Sequence, residues 1–298
     1  MPTLRQTASL RLSAVNIVIV NSEMHTPMAY ARLIRAFAKL ETAVKARGEQ
    51  FLEMDSVLTT SEPSGMLYGT LHRFTALDAM NWYNTEKHRR ATDAERSQIR
   101  VPSDIAANYR EIPFAVDLKS HTMVFPTKSS RTLVSPIQVE NFVTRLSANP
   151  EIYSNFGEVT ATIEQDDQEL QRILTSGSIK MLKLTVKRPN ESFRKYDKPL
   201  FERLKRIRAK SVSEEYYAED KDGIKPDEEL VARAASATSN GEVNARVVVD
   251  GLTEEFSTKD MPIQERVTYD AQKENLLIGF RRGIKQILKR IKSKNKDG

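Results

Sequence analysis

Apolar residues along this chain change repeatedly between the spacing of a β-strand and that of an α-helix. Residues 179–186 alternate apolar and polar side chains, as expected of a strand with one buried face. Residues 28–45 instead repeat apolar side chains at helical spacing and end close to Gly48, a residue favoured just after a helix. Because both periods occur in one chain, helices must pack against sheets, and the pattern predicts an α+β fold.

The N-terminal part of the chain is predicted to consist mostly of strands. A β-branched run at residues 15–20 precedes the helix, and residues 51–59 and 66–77 form two strands joined by a turn containing proline and glycine. Residues 113–125 are predicted to form a hairpin, and the polar segment 84–101 a loop with a short helix.

The second half of the chain has clearer boundary signals. Ser135-Pro136-Ile137-Gln138 has the form of a capping box with proline at the first helical position, which predicts a helix to about residue 148. Asp250-Gly251 is a strong two-residue turn signal. The further predicted elements are a strand at 159–163, the strand at 179–186, a helix at 199–210, an acidic linker or exposed loop at 211–229, a hairpin at 246–258 and a long helix from about residue 264.

These elements suggest three sections of chain. Residues 1–126 are expected to form a mixed-sheet N-terminal domain, and residues 127–240 an α/β unit with a basic strand, a basic helix and the acidic linker. Residues 241–298 hold the hairpin and the long basic helix. Because this last section is too small for a core of its own, we expect it to pack back on an earlier part.

Composition excludes several classes of protein. The hydrophobic fraction is 39% and the charged fraction 29%, which is ordinary for a globular protein and wrong for a disordered one. The absence of cysteine excludes disulfides, thiolate metal sites and cysteine nucleophiles, and fits a reducing compartment. The apolar run at residues 15–20 is too short for a secretion signal or a membrane span. We therefore expect a cytoplasmic protein with no direct membrane insertion.

Positive charge is concentrated in two blocks with an acidic block between them. Residues 179–210 contain twelve Lys or Arg against three acids, and residues 281–298 contain eight against one. Residues 211–229 contain eight acids against two bases, and the whole chain has a net charge of only +6. Dense like charge repels itself unless a partner or an opposite block compensates it. The two interpretations are a polyanionic partner, or two solvated helix faces balanced by an acidic loop.

The first interpretation predicts binding to the phosphate backbone of double-stranded DNA. A spread of long cationic side chains neutralises successive phosphates, and the release of counterions supplies affinity. The sequence shows no helix-turn-helix, zinc-finger or aromatic stacking pattern, so the predicted binding is largely independent of base sequence. The predicted DNA-binding residues are Lys183, Lys187, Arg188, Arg194, Lys195, Lys198, Arg203, Lys205, Arg206, Arg208, Lys210, Arg281, Arg282, Lys285, Lys289 and Arg290.

The terminal helix also carries an apolar stripe. Its residues recur at close to heptad spacing and are predicted to form a homodimer interface. Packing against the protein's own core and binding to an anionic membrane surface are the alternatives. The stripe consists of Leu277, Phe280, Ile284, Ile287 and Ile291.

No catalytic, metal or cofactor site is predicted with any specificity. The four histidines are scattered in sequence, and phosphate-binding glycine loops and nucleophile-elbow motifs are lacking. Asp104 followed by Asp117-x-Lys119 has the order of residues found in metal-dependent nucleases. Since Asp117 to Ser120 also fits an ordinary hairpin turn, a nuclease site and a simple turn both remain open.

The order of elements near the C-terminus points to a family. Residues 245–257 (ARVVVDGLTEEFS) have a strand-turn-strand pattern and precede the long basic helix, an order that resembles RexA-like phage-exclusion proteins. Residues 67–74 (LYGTLHRF) and 188–190 (RPN) resemble an uncharacterised bacterial family found in phage-defence settings. The resemblance covers most of the chain as an element order and specifies no catalytic residue.

The resemblance implies a homodimer that binds DNA with little sequence preference and acts in phage exclusion with a partner. Together with the charge pattern, it predicts a non-enzymatic DNA-binding sensor or component of phage defence, possessing no cofactor and working with a membrane or effector protein. The alternatives are the nuclease described above and a protein-only adaptor of a defence system.

Overall fold

The computed structural model describes residues 7–20, 25–58, 65–77, 81–100, 102, 104–128, 134–175, 177–187, 198–249, 251–270 and 272–294. Within these ranges the chain forms eight α-helices and fourteen strands, which confirms the predicted α+β class. The helices are α1 (Pro27–Lys39), α2 (Asp93–Arg96), α3 (Pro136–Ser147), α4 (Pro150–Phe156), α5 (Asp167–Thr175), α6 (Lys198–Arg206), α7 (Glu228–Asn240) and α8 (Leu276–Lys294). The strands are β1 (Thr7–Ile19), β2 (Val44–Arg47), β3 (Gln50–Leu58), β4 (Met66–Thr75), β5 (Tyr83–Asn84), β6 (Arg89–Arg90), β7 (Ala107–Asp117), β8 (Thr122–Lys128), β9 (Val159–Ile163), β10 (Ser178–Lys187), β11 (Ser211–Tyr217), β12 (Gly241–Val249), β13 (Leu252–Ser257) and β14 (Glu265–Asp270).

The larger sheet is antiparallel and has helices on both faces. Its strand order is β14-β1-β8-β7-β4-β3-β2, and β9 is an additional partner of β1. Helices α1, α3 and α4 cover one face, where Phe37 and Phe142 pack in the same core as Ile17. Helix α8 covers the other face, where Ile284 packs in the same core as Leu12. Burial on both faces explains why the middle of β1 is a nearly continuous apolar run rather than an alternating one.

The smaller sheet has helices on one face only. Its strand order is β11-β10-β12-β13, all antiparallel, and α5, α6 and α7 contribute to its core. Leu182 and Leu184 of β10 face this core, whereas Lys183 lies on the opposite side and forms an ion pair with Glu215 of β11 at 2.6 Å. The alternation of apolar and polar residues in residues 179–186 therefore reflects a sheet with one buried face and one solvated face.

The smaller sheet is inserted into an edge of the larger one. Strand β14 pairs with the first half of β1 and β9 with the second half, while β8 occupies the other edge of β1. The chain leaves the larger sheet after β9 and returns before β14 through two connectors that touch each other. The Ile263 N–H donates to the Glu164 carbonyl at 2.7 Å, and Gln165 forms a β-bridge with Pro262. Residues 167–260 are therefore inserted between β9 and β14, two strands that pair with different halves of the same edge of β1.

The predicted section boundaries at residues 126 and 240 differ from this arrangement. Helices α3 and α4 and strand β9 belong to the larger sheet, although they follow residue 126. The C-terminal hairpin and helix do pack back on earlier parts, as predicted, but they separate: β12 and β13 join the smaller sheet, and α8 covers the larger. The boundaries could not be read from the sequence because they depend on strand partners that are distant in sequence.

The helix predicted over residues 28–45 ends at Lys39, and residues 44–47 form strand β2 instead. Two more segments differ from their predicted structure. The acidic segment 211–229 is not simply a linker, because β11 occupies its first part and α7 begins at Glu228. The terminal helix begins at Leu276 rather than near residue 264, and β14 occupies the intervening segment. The strands in both segments are short and lie at sheet edges, where few of their side chains are buried. The alternation of apolar and polar residues is therefore weak in the sequence.

Two glycines allow α8 to lie close to the larger sheet. A Cβ atom on Gly283 would lie 2.4 Å from a methyl group of Leu12 and 2.6 Å from one of Val267, both buried. A Cβ atom on Gly279 would lie 3.0 Å from the ring of Tyr269. Glycine in the middle of a helix lowers helix stability, so its presence here reflects the space required by β1 and β14.

We expect Gly283→Leu to destabilise the protein, although leucine is the better helix former. The added side chain would have to displace Leu12 and Val267, and overpacking of this kind costs about 1–3 kcal/mol. Gln286→Leu, at an exposed position of the same helix, is the matched control and should change stability little. Chemical denaturation of both variants measures the difference; equal stabilities would show that the close approach of α8 is not required.

Candidate nucleic-acid interface

Helix α8 has one buried face and one basic face. Its sequence contains no acidic residue. Apart from Leu277, the apolar stripe faces the larger sheet. Each cation whose side chain the structure describes therefore lies on the solvent side of the helix or at its margin. These cations are Arg281, Arg282, Lys285, Lys289, Arg290 and Lys292.

Half of these cations hold α8 to the rest of the molecule. Arg282 forms an ion pair with Glu274, just before the helix. Arg290 forms an ion pair with Asp166 in the connector at 2.6 Å, and Lys292 forms one with Asp117 at 3.0 Å. Arg282 and Arg290, both predicted DNA-binding residues, are therefore already paired with carboxylates.

The other three cations are exposed and form a line along the helix. Arg281, Lys285 and Lys289 are separated by four residues each, so they recur on one face about 6 Å apart. The Arg281 guanidinium lies over the ring of Tyr68, 5.4 Å from its centre. Within the described part of the chain, none of the three has a carboxylate within ion-pair distance. This line is the cationic surface of α8 that is available to a partner.

A second basic surface lies on α6 in the inserted unit. Phe201 and Leu204 are buried against the smaller sheet, which turns the charged side of the helix to solvent. Ile207 follows the last residue of the helix, Arg206, and is 57% exposed. The exposed predicted residues of this surface are Arg203, Lys205, Arg206 and Arg208.

Three other predicted DNA-binding residues have carboxylate partners. Besides Lys183, Lys210 forms an ion pair with Glu158 of the larger unit. Burial lowers the pKa of Lys187, which lies 3.9 Å from the buried carboxylate of Glu140. The remaining predicted residues, Arg188, Arg194 and Lys195, lie outside the described residues, as does the side chain of Lys198.

The predicted dimer interface on α8 is wrong for four of its five residues. Phe280, Ile284, Ile287 and Ile291 are at most 2% exposed and pack in a core with residues of β1, β8 and the connector before β14. Only Leu277 is substantially exposed, at 51%. Since the chain's own sheet covers the stripe, the stripe is not available to a second copy.

We expect Ile284→Asp to unfold the protein rather than alter its association. Placing an unpaired carboxylate in this core should cost at least about 3 kcal/mol. Leu277→Asp, at the exposed end of the same stripe, is the matched control and should retain the fold. Circular dichroism with thermal melting distinguishes the variants; a folded Ile284→Asp protein would contradict the burial of the stripe.

The acids of the alternative nuclease site lie far apart. Asp117 ends β7, whereas Asp104 precedes that strand, so the eleven residues of β7 place them on the order of 30 Å apart. Burial by itself would raise the pKa of Asp117, but hydrogen bonds from Lys292 and from the Lys119 N–H outweigh it and hold the pKa below its usual value. The described residues contain no group of three metal-ligating side chains. The predicted nuclease arrangement is therefore wrong, and its Asp-x-Lys segment is a hairpin turn.

Two histidines that are distant in sequence meet beside this turn. The ring of His121 stacks on Tyr30 at 3.6 Å, and the Tyr30 hydroxyl lies 3.1 Å from Nδ1 of His25. Burial, followed by the neighbouring His25, lowers the pKa of His121 to about 4, with Asp117 opposing the shift. His25 lies two residues before α1 and close to His121 of the β7–β8 turn, and no sequence spacing indicated this contact.

We expect His121 to make the protein less stable in acid. In the unfolded chain this residue binds a proton below about pH 6.5, whereas in the folded state it does so only near pH 4. The free energy of unfolding therefore falls as the pH decreases from about 6.5 to about 4. His121→Asn should reduce that loss, because asparagine tolerates the backbone φ of 56° and does not titrate. Denaturant unfolding at pH 7 and pH 4.5 provides the measurement, and identical pH dependence in the two proteins would contradict this assignment.

Each helix in the described ranges is too short or too polar to span a lipid bilayer. No curated protein matches the sequence. Residues 9–289, which cover nearly all of the larger sheet, the whole smaller sheet and most of α8, match the family DUF4747, described as a domain of unknown function. Because the match extends over nearly the whole chain, this protein belongs to the DUF4747 family.

Proposed function

We propose that this protein binds double-stranded DNA through the phosphate backbone, with little dependence on base sequence and without catalysing a reaction. The observation that carries the proposal is the line of Arg281, Lys285 and Lys289 on a helix that lacks acidic residues. Exposed cations without carboxylate partners displace counterions from a polyanion, and that release favours binding.

The exposed cations of α6 extend the proposed contact. Arg203, Lys205 and Arg206 lie on a helix whose apolar side is fixed in the smaller sheet, so the charged side stays turned outwards. Flexible cationic side chains contact phosphates without the fixed pattern of donors and acceptors that distinguishes bases. This supports tolerance of base sequence.

A role in phage exclusion extends this proposal and rests on the RexA-like resemblance of the sequence. In such a role, a DNA-binding sensor would pass its signal to a membrane or effector protein. The family match assigns no function and so adds nothing to this part of the proposal. A homodimer remains a prediction from the same resemblance, with no surface assigned to it now that the α8 stripe is known to be buried.

We expect duplex binding that weakens steeply with salt and depends on the α8 line. Removing three phosphate contacts should decrease the slope of log affinity against log salt by about 2–3 units. The test measures fluorescence anisotropy of labelled duplexes of different sequence, over a salt series, with the variant Arg281→Ala/Lys285→Ala/Lys289→Ala. The control, Lys39→Ala/Lys221→Ala/Lys225→Ala, removes the same charge from exposed positions elsewhere.

The control separates a defined surface from general charge. Equal losses in the two triple variants would mean that net charge alone attracts DNA, and the assignment to α8 would fail. Absence of duplex binding by the wild-type protein at low salt would overturn the proposed function and favour a protein-only adaptor. Magnesium-dependent cleavage of the duplex would show that the protein is an enzyme after all.

A further inference from the structure

A cavity of about 910 Å³ opens on the face of the larger sheet that α8 does not cover. Its walls come from β1, β2, β3, β4 and β8, from the first turn of α3 and from the loops beside them. Three arginines from three different strands line it: Arg11, Arg47 and Arg73. Its volume lies within the range of sites for small organic ligands, about 300–1,000 Å³.

Two of the three cavity arginines, Arg11 and Arg47, have no described carboxylate partner. Glu49 is the acidic residue that lines the cavity, and its carboxylate already accepts a hydrogen bond from Lys45 at 2.8 Å. Arg11 and Arg47 are exposed, and no described carboxylate lies within ion-pair distance of either. Arg11 and Arg47 therefore present guanidinium groups to the cavity without a matching carboxylate.

Neighbouring strands add to the charge. Arg266 of β14 stands directly opposite Arg11, and Arg110 of β7 directly opposite Arg73. Burial, and then the like charge of Arg110, lowers the pKa of Arg73. Like charges opposite each other destabilise a sheet, so the pairing of Arg11 with Arg266 favours a bound anion over an empty cavity.

Neutral polar groups fix the cavity walls. The Thr127 hydroxyl donates to the Arg11 carbonyl at 3.2 Å, and the Gln138 side-chain amide donates to the Gln50 side chain at 2.8 Å. Gln138 belongs to the capping box of α3, and the positive end of that helix dipole borders the cavity. The arginines thus project from a hydrogen-bonded frame.

We propose that this cavity binds a nucleotide-sized ligand through a phosphate group held by Arg11, Arg47 and Arg73. The planar guanidinium donates two parallel hydrogen bonds to phosphate oxygens, and several such groups at one site select a phosphate over a neutral ligand. The same chemistry occurs in a free nucleoside phosphate and in the terminal phosphate of a nucleic-acid strand. The site is independent of the proposed duplex interface, because α8 lies on the opposite face of the sheet.

Isothermal titration calorimetry and thermal melting of the full-length protein test the proposal. The probes are inorganic phosphate, adenosine 5′-monophosphate, adenosine, and a short single strand with either a 5′-phosphate or a 5′-hydroxyl. We expect adenosine 5′-monophosphate or the phosphorylated strand to bind and raise the melting temperature, whereas adenosine and the hydroxyl strand bind at least tenfold more weakly. Binding of the mononucleotide identifies a free nucleotide as the ligand, and binding of the phosphorylated strand alone identifies a strand end.

Variants connect the binding to the cavity. Arg11→Gln and Arg47→Gln change exposed side chains, so they should fold normally and each weaken phosphate-dependent binding by about tenfold to a hundredfold. Lys225→Gln, an exposed position in the inserted unit, removes the same charge and should leave binding unchanged. The proposal is overturned if no phosphate-bearing probe binds, if adenosine binds equally well, or if Lys225→Gln weakens binding as much as the arginine variants. Loss of duplex binding in the Arg281→Ala/Lys285→Ala/Lys289→Ala variant tests the proposed function and does not affect this test of the cavity.

Discussion

The pairing of β1 with β9 and β14 along a single edge is the constraint on which the rest of the architecture depends. Because β14 holds the first half of that edge and β9 the second, the whole inserted unit must begin and end at one point of the larger sheet. The same pairing places β14 beside β1, and α8 packs on both strands. Gly279 and Gly283 allow the helix to lie close to them. The basic helix therefore takes its position from strands that are more than 250 residues apart in sequence.

Ion pairs hold the inserted unit and α8 against this frame. Glu140 of α3 is buried and lies near Lys187 and Lys259 of the inserted unit, and Arg290 of α8 reaches Asp166 in the connector. Because Glu140 is buried, removing Lys187 or Lys259 would leave its carboxylate less well compensated, so these cations contribute to the structure. Cations that form such ion pairs are not available to a partner. Those that remain available lie in the α8 line and on the exposed side of α6.

The larger sheet carries positive charge on two faces with different geometry. On one face, α8 presents a convex line of lysine and arginine side chains, suited to an extended polyanion. On the other, arginines from several strands line a concave cavity, suited to a compact phosphate group. Strand alternation produces this division, since Leu10 and Leu12 turn to the core beneath α8 while Arg11 between them turns to the cavity.

The sequence by itself determined the α+β class, most strand and helix positions, the capping box at Ser135 and the basic character of α8. These features follow from local periodicity and cap chemistry, which neighbouring residues fix. Only the tertiary structure decided that the stripe of Ile284 is core, that Asp104 and Asp117 lie apart, and that Arg11 and Arg73 share a cavity. Each of these depends on which strands pair and on which helix covers which face, and such long-range choices leave no periodic signal in the chain.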